Sequence, residues 1–174
     1  KKDANLKSLY DKLLLNGTWE MILDRGGLES LHYVFREDVW QESIPADIPC
    51  SVQTALLKAG KIKDPMLMKN NIDIEWVAEQ KWWLRKKFRL GEEYAGRRLE
   101  LVFAGVDYSS TVWLNGKMLG SHEGMFGGPE FDVSGILKYG DEENTLIVSI
   151  DPAPPSVTID GYPYYFKHLK ASVV

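Results

Sequence analysis

Apolar and polar side chains alternate at every second position through several short stretches of this chain, with glycines, prolines and one Asn-Gly pair punctuating the intervals. That period sends successive side chains to opposite faces of an extended strand. Leu31, Tyr33 and Phe35 alternate with His32 and Val34. Leu99, Leu101 and Phe103 alternate with Glu100 and Val102, and Leu146, Val148 and Ile150 with Ile147 and Ser149. All three stretches predict sandwich strands. Between Trp82 and Leu90, one face carries Trp82, Leu84, Phe88 and Leu90, interrupted by Lys86. The other carries Trp83, Arg85, Lys87 and Arg89, which predicts a core face and a wet face. Asn115-Gly116, between Thr111 to Leu114 and Lys117 to Leu119, supplies the two positive-φ positions of a type I′ turn and predicts a hairpin of defined register.

Helical spacing is scarce. Ser51 is placed to cap a helix from Val52 to Ala59 that stops at Gly60, and Ser134 opens one turn through Ile136 and Leu137 that ends at Gly140. Leu6 to Leu15 has apolar residues at 6, 9, 10, 13 and 14, which suits an amphipathic helix. No period of repeats and no low-complexity tract occurs. Pro152 to Pro155 is the one linker-like stretch, leading into the Tyr-rich run Gly161 to Phe166. The whole of 1–174 therefore reads as one domain, with 152–174 as its Pro/Tyr-rich C-terminal extension. Its predicted class is all-β, a jelly-roll β-sandwich with one or two short helices.

Composition narrows the function classes. At 174 residues the chain is too short for a (β/α)₈ barrel, which needs about 250. A net charge of −4 argues against a nucleic-acid footprint, and no apolar run approaches the roughly 20 residues of a membrane span. The lone Cys50 excludes an internal disulfide and leaves the compartment open between secreted and cytoplasmic. Aromatic residues are abundant, with 6 Trp, 8 Tyr and 6 Phe. They suit strands, and they are also the platforms on which proteins stack sugar rings.

Reactive constellations are sparse. His32, His122 and His168 form no HxH or HExxH spacing, so no metal site and no cofactor is expected. Asp141, Glu142 and Glu143 could ligate calcium, but a solvated turn is the simpler reading. No nucleophile elbow or phosphate loop occurs, and Gly124 to Pro129 reads as a tight crossing. Asn16-Gly17-Thr18 satisfies the glycosylation sequon yet leads straight into a strand. Asp107, Glu123, Glu130 and Asp132 are expected in or beside loops. Glycoside hydrolysis would need two of them flanking one bond, a separation that sequence does not define.

Several motifs together carry a family likeness: Trp82-Trp83-Leu-Arg-Lys-Lys-Phe88, Leu99 to Asp107-Tyr108 and on through Trp113-Leu-Asn115-Gly116, then Gly120-Ser-His122-Glu-Gly124-Met-Phe126 and Phe131-Asp132-Val133. In order and spacing this resembles the N-terminal sugar-binding, galactose-binding-domain-like jelly roll of glycoside hydrolase family 2. Leu15 to Trp19 resembles the opening strand of that domain. Ile48 to Asp64-Pro65 resembles the β-mannosidase branch more than the β-galactosidase or β-glucuronidase branches.

The resemblance implies a module of a longer retaining exo-glycosidase in which a catalytic barrel supplies both glutamates. The family's acid/base Glu follows an Asn, and no Asn here precedes a Glu. No catalytic residue is carried over, and the chain alone is expected to be inactive. The Trp-Asp motif that the β-mannosidase jelly roll sends toward mannose is absent from 1–174, and Met66 to Asn70 departs from the usual aromatic-glycine pattern. Expected partners are β-glycosides and the other domains of the parent enzyme, with no nucleic acid and no membrane. An autonomous carbohydrate-binding module and a pure scaffold remain as rival readings.

Within that frame Trp82, Trp113, Asn115, Gly116, Gly124 and His122 are expected to serve the fold, with His122 a satisfied turn residue. Asp107 and Tyr108 sit at a bend, where Asp107 can accept backbone N–H groups. Trp83, alongside Arg85, Lys87 and Arg89, and the tyrosines Tyr162, Tyr164 and Tyr165 are the expected contacts to a sugar or a neighbouring domain.

Overall fold

The computed structural model describes residues 12–26, 30–64, 66, 73–124 and 126–152, and the backbone of 156–159, 162–165 and 172–173. Strands β1 (Gly17–Leu23), β2 (Ile44–Ile48), β3 (Cys50–Ser51) and β4 (Trp82–Arg89) come first, followed by β5 (Glu100–Val102), β6 (Val106–Asp107), β7 (Ser109–Leu114) and β8 (Lys117–Glu123). β9 (Glu130–Asp132), β10 (Glu143–Asp151), β11 (Ser156–Ile159), β12 (Tyr162–Tyr165) and β13 (Ser172–Val173) complete the order. Helix α1 (Ser30–Tyr33) and helix α2 (Val52–Lys58) lie between β1 and β4.

A six-stranded antiparallel sheet, ordered β2-β1-β4-β10-β7-β8, is the backbone of the sandwich. β10 sits near its middle because Leu146 to Ile150 is buried on both faces, as a central strand requires. Opposite it lie the smaller sheets β3-β13-β6 and β5-β9, together with α2. The main core fills the space between: Trp19, Met21, Trp82, Leu84, Val112, Leu114, Leu146, Val148 and Ile150 from the large sheet meet Val52, Ala55, Leu56, Phe103 and Val106 from the other layer. This is the jelly-roll sandwich that alternation and turn spacing predict.

Local signals are realised where the chain can satisfy them by itself. Asn115 (φ 52°) and Gly116 (φ 80°) make the two-residue turn between β7 and β8, and Leu119 forms a bulge beside the Val112–Trp113 step. Ser51 Oγ accepts the amide of Thr54 at 3.1 Å and so caps α2. Replacing Ser51 by alanine should lower stability by about 1 kcal/mol, read as a shift of the urea midpoint at unchanged m-value. Residues 134–136 form turns, closed by the amides of Ile136 and Leu137 on the carbonyl of Val133, and Ser134 Oγ accepts the amide of Leu99.

Three expectations fail. Leu31 to Phe35 is not a strand: 30–33 is one helical turn, and Val34, assigned by alternation to the opposite face from Leu31, Tyr33 and Phe35, is buried. Five residues with alternating polarity also satisfy helical i, i+3 spacing, and here the neighbouring Trp40, whose indole N–H donates to the Val34 carbonyl at 2.9 Å, selects the compact form. Of the expected helix over 6–15, residues 6–11 lie outside the described ones, and 12–15 are not helical.

The third correction concerns the outer face of β4. Val34, Val39 and Trp40 lie across it and, with Ile22, Trp83, Trp113 and Ile147, build a second core. The face expected to be wet is therefore covered at its Trp83 end. Arg85 is only 6% exposed and survives there because its charge is matched. Its Nε and Nη2 donate to the two oxygens of Glu20 at 2.7 and 3.0 Å, Nη1 donates to Glu37 at 2.9 Å, and the guanidinium stacks 4.6 Å over the Trp40 ring.

Candidate functional site

Two loops at one end of the sandwich lie side by side. Residues 103–108 lead from β5 through β6 into β7, and residues 122–129 lead from β8 towards β9. They are tied three times: the Phe103 amide donates to the Pro129 carbonyl at 3.1 Å, Gly105 bridges Gly127, and the Gly124 amide donates to the Tyr108 carbonyl at 2.8 Å. The glycine-rich run is the tight crossing that its composition predicts. A Cβ at Gly128 would stand 2.4 Å from the Phe103 carbonyl oxygen, so no larger residue fits without moving the crossing.

The polar groups of this loop pair are unfinished. Asp107, whose peptide bond to Tyr108 is cis, does not hold the bend by accepting backbone N–H groups. Its Oδ1 is buried without a hydrogen-bond partner among the described residues, and burial pushes its carboxyl above the usual carboxylate range. The bend is held by the Gly124–Tyr108 hydrogen bond instead. His122 is likewise not satisfied, because its Nε2 is buried without a partner. Phe126, on the opposing loop between Gly124 and Gly127, is 91% exposed. β6 also pairs with β13, which in turn pairs with β3, so Asp107 and Ser51 both stand opposite Ser172. Beside β3, Gln53 Oε1 is a further buried oxygen without a partner.

The expected site residues fall elsewhere or into the fold. Trp83 is 1% exposed, with its indole N–H donating to Asp24 Oδ1 at 2.7 Å and its ring 5.4 Å from that of Trp113. It therefore offers no free face to a sugar or a neighbouring domain, which corrects the exposure inferred from its strand position. Trp113 is core, as expected, and Trp82 is core with its N–H on the Val77 carbonyl. Tyr162, Tyr164 and Tyr165 belong to β12, which pairs with β11, and their side chains lie outside the described residues. The other carboxylates expected in or beside loops end or begin strands, Glu123 in β8 and Glu130 and Asp132 in β9, and Asp132 is engaged by Ser134, whose hydroxyl donates at 2.7 Å and which, with its amide, holds the carboxyl below its ordinary range.

A cavity of about 300 Å³ opens on the outer sheet face, lined in part by Phe35, Glu37, Arg85, Asn115 and Lys138. Its core polar groups are already spoken for: Arg85 by Glu20 and Glu37, and Asn115 by Ile136, Asn144 and Thr145. Among the described residues no group of three or more His, Cys, Asp or Glu side chains is placed to hold a metal ion, and Glu143 pairs with Lys87 at 3.3 Å. No described helix is long and apolar enough to cross a membrane. Sequence reasoning missed Phe126 as a surface residue, since a lone Phe between glycines carries no periodic signal.

Comparison with known proteins adds the family. Residues 33–159 match the model described as glycosyl hydrolase 2 galactose-binding domain-like. The chain is 31% identical to a β-mannosidase of Capra hircus over 125 residues, which is 71% of this chain and 13% of that protein. The β-D-mannosidase of Dictyoglomus thermophilum aligns with a TM-score of 0.69 at 31% identity, covering 80% of this chain and 15% of that one. A β-glucuronidase from an uncultured Clostridium sp., at 21% identity and a TM-score of 0.62, shares the fold, over 91% of this chain and 26% of that one. The chain thus spans about an eighth of the β-mannosidase relative that it matches. It belongs to the glycosyl hydrolase 2 galactose-binding domain-like family, in the β-mannosidase-like branch.

Proposed function

We propose that this domain is the non-catalytic sugar-binding domain of a β-mannosidase-like retaining exo-glycosidase, where it buttresses the catalytic barrel and shapes the rim of the substrate site. The observation that carries the reading is the unfinished loop pair. Native domains pair most of their buried polar atoms, whereas Asp107 Oδ1 and His122 Nε2, both on this loop pair, have no partner among the described residues. Such atoms suit a surface completed by a ligand or by another domain. The relatives, each several times longer than this chain, supply the context in which that happens. The rate advantage contributed from here would be positioning and exclusion of water, while two carboxylates elsewhere perform the double displacement.

Expressing the complete reading frame beside the 174-residue chain tests this. The long product should hydrolyse aryl β-mannosides, and the chain alone should not. Turnover by the chain alone, or a long product without β-glycosidase activity, would overturn the reading.

A further inference from the structure

The tripeptide Leu-Asn-Gly occurs twice in this chain, at Leu15–Gly17 and at Leu114–Gly116. Asparagine is thermolabile, most of all before glycine, which has no Cβ to shield its amide nitrogen from the neighbouring side chain. Local sequence therefore gives the two sites almost the same chemistry, and the fold treats them differently. Asn115 is locked. Its Nδ2 donates to the Ile136 carbonyl and to Asn144 Oδ1, each at 2.9 Å, its Oδ1 accepts the Thr145 amide at 2.9 Å, and its backbone is held at φ 52° in the turn. Bringing its side-chain carbonyl onto the Gly116 nitrogen breaks all three bonds. Asn16 is exposed, and its side chain has no hydrogen-bond partner among the described residues. Gly17, at φ 95°, is the first residue of β1, where a ladder frays.

We propose that Asn16 is a spontaneous modification site, at which the exposed side chain converts to aspartate and isoaspartate while the fold keeps Asn115 intact. The Gly17 amide nitrogen loses its proton to hydroxide and attacks Asn16 Cγ. The new C–N bond closes a cyclic imide as the bond from Cγ to the side-chain nitrogen breaks, and that nitrogen takes a proton from water and leaves as ammonia. Water then opens the imide. Attack at Cγ gives aspartate, whereas attack at the main-chain carbonyl leaves the chain running through the side chain as isoaspartate. The sum is water taken up and ammonia released, with nothing oxidised or reduced. Either product adds a negative charge at the start of β1, and isoaspartate also adds a backbone carbon between Leu15 and Gly17. That lengthening falls where the Leu15 carbonyl accepts the indole N–H of Trp19, a core residue, at 2.8 Å, so the isoaspartyl form loosens this link.

Peptide mapping by mass spectrometry of the 174-residue protein, incubated at mildly alkaline pH, tests the assignment. The peptide holding Asn16 should convert at least tenfold faster than the one holding Asn115, and faster still as pH rises. In urea, where the three bonds to Asn115 are gone, the two rates should converge. N16Q should leave the fold and the Asn115 rate unchanged and abolish the new anionic species on ion exchange. In the isoaspartyl fraction the Trp19 indole N–H should exchange with deuterium faster than in the aspartyl fraction. An Asn16 that stays intact, equal rates at the two sites in the folded protein, or a difference that persists in urea would overturn the proposal, the last because sequence and not the fold would then set it. Equal indole exchange in the two fractions would overturn the loosening at Trp19.

Discussion

Trp83→Ala should destabilise the domain by about 3–5 kcal/mol, the range for emptying a fully buried aromatic site. The indole contributes on three counts. It fills the centre of the second core against Trp113, Ile147 and Trp40, it donates its N–H to Asp24 at 2.7 Å, and it carries the Lys81 ammonium 4.6 Å above its ring. Urea unfolding should show a markedly lower midpoint with little change in m-value, because the surface exposed on unfolding is nearly the same. The outcome separates core from platform. An exposed stacking residue, when truncated, leaves stability within about 0.5 kcal/mol and changes ligand affinity instead. A wild-type midpoint for Trp83→Ala would mean that residues 34–40 do not cover the outer face in solution.

The second large effect is expected at Asn144, which is fully buried. Its Oδ1 accepts the Lys138 amide at 2.8 Å and the Asn115 side-chain amide at 2.9 Å, and its Nδ2 donates to the Lys138 carbonyl at 2.8 Å. Asn115 continues the network, donating to the Ile136 carbonyl and accepting the Thr145 amide, so two asparagines fasten the β7–β8 hairpin to the 133–138 turn and to β10. Alanine at 144 strands three partners. Allowing for water reaching the half-buried hydrogen bonds of Lys138, the loss should be about 2–4 kcal/mol. Faster hydrogen exchange at the Lys138 amide would mark the same lesion locally. Asn144→Asp keeps the Oδ1 acceptor and loses the Nδ2 donor, and it should fall between wild type and alanine. If alanine and wild type unfold at the same midpoint, the network does not fasten the hairpin.

Some of the candidate site is visible in the sequence. The motif from Leu99 to Phe126 carries the family, and both Asp107 and the glycine-rich crossing lie within it. What alternation and composition miss is the state of each group. Asp107 is suited to hold a bend, and sequence reasoning assigns it backbone donors. In the fold those donors are absent, because Gly124 and Tyr108 close the bend between themselves. Trp83 errs in the opposite direction: its neighbours in the strand are charged, yet a segment more than forty residues earlier in the chain lies over it.

The division follows from distance along the chain. The Asn-Gly turn, the Ser51 cap, the extended alternating segments of β4 and β10 and the family motif depend on residues a few positions apart, and the sequence by itself determines them. Which face of a strand is wet is not a property of that strand. It depends on whether another segment can bury its own apolar side chains there, and only the tertiary structure decided that Val34, Val39 and Trp40 do so over Trp83. The same holds for polar groups. The pairing of Asn144 with Asn115, and the lack of a partner for Asp107 Oδ1 among the described residues, are set by groups brought together in the fold, where water is excluded and a buried donor or acceptor must find its match within the protein.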